Sequence, residues 1–72
     1  MTNTKKLRAL MVEKGYTQEQ LAKLLGITET TLNYKINNKR EFKASEIQAL
    51  TKILGIPMQE VDGIFFARDV DL

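Results

Sequence analysis

The sequence predicts an all-α domain of five short helices, and three observations carry that prediction. Apolar residues recur three and four positions apart along the chain, the period of one helix face. Gly15, Gly26, Gly55 and Gly63 each follow such a stretch, where a helix C-terminus favours glycine. No segment alternates at period two until the tail, so only residues 64–72 have room for a short strand. At 72 residues the chain is one domain, with residues 4–66 as its core and 67–72 as a tail, which is an extended segment on this reading. A chain this short buries only about 60% of its unfolded surface, which makes self-association useful.

Helix 1 is expected over Thr4 to Lys14, with Leu7, Leu10 and Met11 inward and Thr2, Asn3 or Thr4 as N-cap. Helix 2 is expected over Gln18 to Leu25. Thr17 and Gln20 have the capping-box spacing, in which each side chain satisfies the other's free N–H. Leu21, Leu24 and Leu25 make its buried face, and Ala22 suits a close helix crossing. Helix 3 runs over Glu29 to Asn37 behind Thr28, with a thin apolar face of Leu32 and Ile36. A polar loop with Phe42 as inward anchor leads to helix 4, Ala44 to Leu54, which turns Ile47, Leu50, Ile53 and Leu54 inward. Helix 5 is short, Pro57 to Asp62, with Met58 and Val61 inward.

Composition removes whole classes of function. The chain has no cysteine and no histidine, so neither a disulfide nor the usual structural zinc site is expected, and no cofactor. Ser45 is the only serine, and the commonest general base is missing, so an enzyme is not expected. No apolar run approaches the roughly 18 residues of a membrane span, and the first residues lack a signal-peptide core, so a cytoplasmic location is expected. Net charge is only +2, but it is unevenly placed. Residues 1–14 carry +3 and residues 28–43 carry +2, whereas residues 60–72 carry −3 and hold every aspartate. Such a split suits a molecule with one face toward phosphate, and also an ordinary lopsided solvated surface.

The informative stretch is Gln18 to Asn37: a capped helix, the tight turn Gly26-Ile27-Thr28, and a second capped helix. Helix 3 is polar over most of its surface, so a broad buried stripe does not hold it, and it is either a marginal surface helix or one whose exposed face has a partner. A B-DNA major groove admits one helix, and its base edges offer donors, acceptors and the thymine methyl. Thr28, Glu29, Thr30, Asn33 and Tyr34 are the candidate base contacts. Asn33 suits bidentate pairing with adenine, and Glu29 suits a cytosine amino group. Gln18 stands at the start of helix 2, where free N–H groups and the helix dipole favour phosphate. With Lys35, Asn38, Lys39, Arg40 and Lys43 it makes the candidate phosphate set. Blander roles stay open: Gln18 as a helix-start residue, Glu29 as a charge favoured by the helix dipole, Tyr34 packed on the loop, and Lys39 and Arg40 as solvated charges.

The segment Thr17-Gln-Glu-Gln-Leu-Ala-Lys-Leu-Leu-Gly-Ile-Thr-Glu-Thr-Thr-Leu-Asn resembles the helix-turn-helix of the Xre family, which includes the lambdoid phage Cro and repressor DNA-binding domains. The resemblance extends over about residues 5–65. The stretch Lys35-Ile36-Asn37-Asn38-Lys39-Arg40-Glu41-Phe42, with Glu46-Ile47 and Ile64-Phe65-Phe66-Ala67, looks like small Cro-like proteins of phages and prophages of Gram-positive bacteria. The resemblance implies a lambda-repressor-like five-helix bundle with helix 3 in the major groove of a double-stranded DNA operator. It also implies a nucleoid-associated bacterial transcriptional regulator acting as a repressor, often as a two-fold dimer on a pseudo-palindrome. Gln18 matches the family's phosphate-contacting glutamine, and Thr28, Glu29, Thr30, Asn33 and Tyr34 match positions that face DNA. One departure stands out: many members have an apolar residue where this chain has Lys35. The expected homodimer interface is helix 5 with Ile64 to Phe66, and a place for one of Phe65 and Phe66 in the monomer core is an equal alternative. The alternative reading is a regulator that binds a protein partner, such as an antirepressor, a repressor modulator or an antitoxin.

Overall fold

The computed structural model describes residues 1–68 and contains five helices: α1 Thr4–Lys14, α2 Gln18–Leu25, α3 Glu29–Ile36, α4 Ala44–Ile53 and α5 Met58–Phe65. Each of the first three helices starts at a side-chain cap. Asn3 accepts from the Lys6 N–H at 3.2 Å, and Thr28 accepts from the Thr31 N–H at 3.1 Å. Thr17 and Gln20 complete their reciprocal box at 3.1 and 2.9 Å. Gly15 and Gly26 close α1 and α2 at φ of 79° and 71°, a left-handed turn that L side chains resist.

Every helix contributes two residues to one buried cluster: Leu7 and Met11, Leu21 and Ala22, Leu32 and Ile36, Ile47 and Leu50, Ile64 and Phe65. Leu54 and Ile56, between α4 and α5, complete it. Phe42 packs its ring edge-to-face on Phe65 at 5.6 Å between centroids, anchoring the α3–α4 loop as expected. Leu24 and Met58 do not go inward; Met58 is 85% exposed. Leu24 lies off the face that Leu21 and Ala22 define, whereas Met58 is in register with Phe65 but stands at the first position of its helix, two turns from the buried end.

The largest departure from the sequence reading is α5, which passes through Gly63 and ends at Phe65 instead of stopping at Asp62. Continuing the helix aligns Val61, Ile64 and Phe65 at i, i+3 and i+4, and the last two become buried. Burying two large side chains outweighs the penalty of about 1 kcal/mol for an interior glycine. Ile64 and Phe65 are therefore helical and not part of a strand, and residues 66–68 form none. The rest of the expected tail, residues 69–72, lies outside the described residues. A β-carbon on Gly63 would meet only the Lys6 ammonium at 3.9 Å. Gly63→Ala should therefore raise stability by about 0.5–1 kcal/mol, measured as a higher denaturation midpoint at unchanged slope.

A short strap of the first residues crosses the end of the bundle. The Asn3 N–H donates to the Ile64 carbonyl at 2.7 Å, and the Ala67 N–H donates to the Met1 carbonyl at 2.9 Å. Thr2, within this strap, is buried. Among the described residues, no helix is long and apolar enough to cross a membrane.

Candidate nucleic-acid interface

The seating of α3 decides which of its residues reach solvent. Leu32 and Ile36 are almost wholly buried, and Lys35, which shares their face, is only 5% exposed. The 3.6-residue period then places Thr30, Asn33 and Tyr34 on the outer face, with Glu29 beside them. Thr28, Glu29, Thr30 and Tyr34 are exposed and Asn33 is half-buried. The turn between α2 and α3 holds this face in place. Its Ile27 N–H donates to the Ala22 carbonyl at 3.0 Å, while the Ile27 side chain packs on the core.

Four of the candidate residues come together at one place. Gln18, Glu29, Thr30 and Asn33 line a shallow recess where the start of α2 meets the start of α3. The Gln18 side-chain amide donates a long hydrogen bond to the Glu29 carbonyl at 3.4 Å, tying the two helix starts. The capping box occupies the N–H groups of Thr17 and Gln20. The Gln18 and Glu19 N–H groups, the other early donors of α2, have no intrahelical acceptor. Thr28 is partly spent: its hydroxyl accepts from the Thr31 N–H and donates to the Thr31 hydroxyl at 2.9 Å. Its methyl group is what remains for a base.

The loop after α3 gathers a different set. The chain reverses at Asn38, the one described non-glycine residue with positive φ, at 64°. The Lys39 and Arg40 N–H groups both donate to the Tyr34 carbonyl, at 2.8 and 3.3 Å. Their side chains return over the Tyr34 ring, with the Lys39 ammonium 5.5 Å and the Arg40 guanidinium 5.9 Å from its centroid. Lys43 is exposed at the start of α4.

Two members of the expected phosphate set are elsewhere. Lys35 does not face a groove. Its ammonium is buried against Glu46 of α4, 2.6 and 2.7 Å from the two carboxylate oxygens. A charge at this depth persists only when paired, so its partner is what allows a lysine on an apolar face. Glu46 also accepts from the Lys43 backbone N–H at 2.7 Å, capping α4. Burial by itself pushes the Glu46 carboxyl up. The Lys35 hydrogen bonds, the Lys43 N–H and the two lysine charges together outweigh burial and hold it below its ordinary value. The spacing of Leu32, Lys35 and Ile36 carried a signal that Lys35 points inward. The Lys43 to Glu46 spacing is likewise that of a cap.

Asn38 is the second correction. Its side-chain oxygen accepts from the Thr2 N–H at 2.8 Å and its amide donates to the Thr2 carbonyl at 2.9 Å. With Thr4, whose hydroxyl donates to the Ile36 carbonyl at 2.7 Å, it ties the end of α3 to the N-terminal strap. Sequence reasoning had no means of pairing residues 36 positions apart. The expected dimer contact is corrected in part as well: Ile64 and Phe65 close the core of the monomer, and only Phe66, 58% exposed, stays on the surface.

No curated protein matches the chain. The family model described as Helix-turn-helix matches residues 7–61, from the first core leucine of α1 to Val61 in α5. That match covers more than half of the chain and takes in the capped pair α2–α3 with its outward polar face, so the chain belongs to the helix-turn-helix family and is a DNA-binding transcriptional regulator.

Proposed function

We propose that this regulator is a Cro-like repressor of phage or prophage type, which occupies a double-stranded DNA operator with α3 in the major groove. The outer face of α3 carries the reading. Glu29, Thr30 and Asn33 stand together there beside Gln18, short polar side chains at the N-terminal end of an otherwise anchored helix. Asn33 pairs with an adenine, Glu29 accepts from a cytosine amino group, and the threonine methyls touch thymine. Gln18 and the start of α2 hold a phosphate on one side of the groove. Lys39, Arg40 and Lys43 hold the backbone on the other and set the salt dependence.

Two copies bind together in this reading. One molecule measures 29 × 25 × 21 Å, less than the ~34–36 Å that separates half-sites one helical turn apart. The apolar surface left on α5 by the burial of Ile64 and Phe65 includes Met58 and Val61, which border a groove with Ile47 and Ala49 of α4. That surface, with Phe66, is where the copies meet. Sedimentation of the free protein and of its operator complex tests the pairing; a strict monomer in both rejects it.

The main test is selection of bound duplexes from a random pool, followed by titration of the winner at several salt concentrations. An enriched pseudo-palindrome whose affinity falls steeply with salt supports the proposal. Lys39→Ala should weaken operator and random duplex alike and lower the magnitude of the salt slope by about 1. Failure to enrich any sequence with folded protein would instead favour a protein partner, such as an antirepressor or antitoxin target.

A further inference from the structure

We infer that Tyr34 serves DNA binding as a positioning residue, whose ring gathers Lys39 and Arg40 into one grip on the phosphates of the duplex backbone. The inference rests on the reading of α3 as the recognition helix and reassigns a residue that the sequence groups with the base contacts.

Four observations carry it. Both cations stand within the roughly 6 Å of a ring centroid at which the negative face of an aromatic ring attracts them. Their backbone N–H groups both end on the Tyr34 carbonyl, so one residue holds the loop by main chain and by ring. The reversal at Asn38 that turns the chain back is fixed by its two bonds to the buried Thr2. Among the described residues the one ion pair is Lys35–Glu46, so the charges of Lys39 and Arg40 are not consumed by a carboxylate.

The physical consequence is preorganisation. Two adjacent cations repel each other, and each long side chain has many rotamers to lose when it grips a phosphate. A ring within reach of both attracts each of them and restricts their rotamers before DNA arrives. The ring leaves the outer faces of the ammonium and guanidinium for phosphate oxygens, which a carboxylate partner would not do. A phosphate grip of this kind carries no sequence information. Tyr34 therefore acts on affinity for all duplexes and not on the choice among them.

The test compares wild type, Tyr34→Phe, Tyr34→Leu and a protein carrying pentafluorophenylalanine at position 34, each titrated with selected operator and with random duplex across a salt series. Tyr34→Phe keeps the ring face and should bind like wild type. Tyr34→Leu and the fluorinated ring should lose about two- to fivefold on both duplexes equally, with a shallower salt slope. The fluorinated ring preserves shape while removing the negative face, so its result stands even if Tyr34→Leu folds poorly. Removing Lys39 or Arg40 in the Tyr34→Leu background should then cost less than in wild type. Relaxed choice at one base position, or wild-type affinity in both the leucine and fluorinated proteins, overturns the inference and leaves the recognition-helix reading standing. A wild-type protein that binds no duplex overturns both.

Discussion

Glu46→Gln should destabilise the protein by about 3–5 kcal/mol at neutral pH, the usual cost of stranding one partner of a buried ion pair. The Lys35 ammonium and Glu46 carboxylate are only 6% and 7% exposed, and Lys35 places both its short hydrogen bonds on that one carboxylate. Neutralising Glu46 leaves a desolvated ammonium facing an amide. Lys35→Met does the reverse and leaves a desolvated carboxylate with the Lys43 N–H as its remaining hydrogen-bond donor. The double variant Lys35→Met with Glu46→Gln removes both charges, keeps an acceptor for the Lys43 N–H, and should recover most of the loss. Denaturant titration of the four proteins measures this. A cost below 1 kcal/mol for Glu46→Gln would mean that solvent reaches the pair.

The same pair sets an acid dependence. The Glu46 carboxyl is lowered in the folded protein relative to the unfolded chain, because the lysine contacts outweigh burial. The unfolded state therefore binds the proton more readily, and stability rises with pH through that interval. The contribution is complete above the ordinary glutamate range and is lost as pH falls through the lowered value. Glu46→Gln should lack this part of the acid slope. Since Lys35 lies on α3 and Glu46 on α4, losing the pair also loosens the seat of α3, the helix proposed to enter the groove. Operator affinity should fall along with stability in the single variants and return in the double.

Asn33→Ala should weaken operator binding by about 1–3 kcal/mol, or some 5–150-fold, and relax the preference at one base position. Asn33 is half-buried in the recess with Gln18, Glu29 and Thr30, while its backbone carbonyl accepts from Asn37 and is untouched by the substitution. Alanine also has the best helix propensity, so α3 itself is not weakened. The loss should appear on the selected operator and be nearly absent on random duplex. Equal weakening on both would move Asn33 to the backbone contacts. Lys39→Ala, which should act on both alike, is the internal contrast.

Much of this was legible in the residues because it is local. A threonine three residues before a glutamine marks a capping box wherever it folds, and both legs formed at Thr17 and Gln20. The bounds of α1 and α2 follow from such signals, and so does the inward Phe42. The outer position of Thr30 and Tyr34 follows from the helical period alone once Leu32 and Ile36 are inside, whereas Thr28 and Glu29 are exposed because they stand at the helix start. The recess that joins Gln18 to Asn33 was foreseeable only as a motif, since it needs two helices at a definite angle.

The errors share one physical origin. Charge type suggested that Lys35 belongs with the phosphate contacts, but its position on the face of Leu32 and Ile36 and a carboxylate eleven residues away drew it inside. Polarity suggested that Asn38 faces solvent, but the strap beneath α5 uses both ends of its amide. Gly63 reads locally as a helix stop, yet burial of Ile64 and Phe65 carried α5 through it. The existence of five helices, the N-caps of the first three and the polar face of α3 were readable in the residues, because those depend on neighbours within one helical turn. The tertiary structure alone decided which polar groups stayed available, because desolvation and pairing depend on residues that only folding brings into contact.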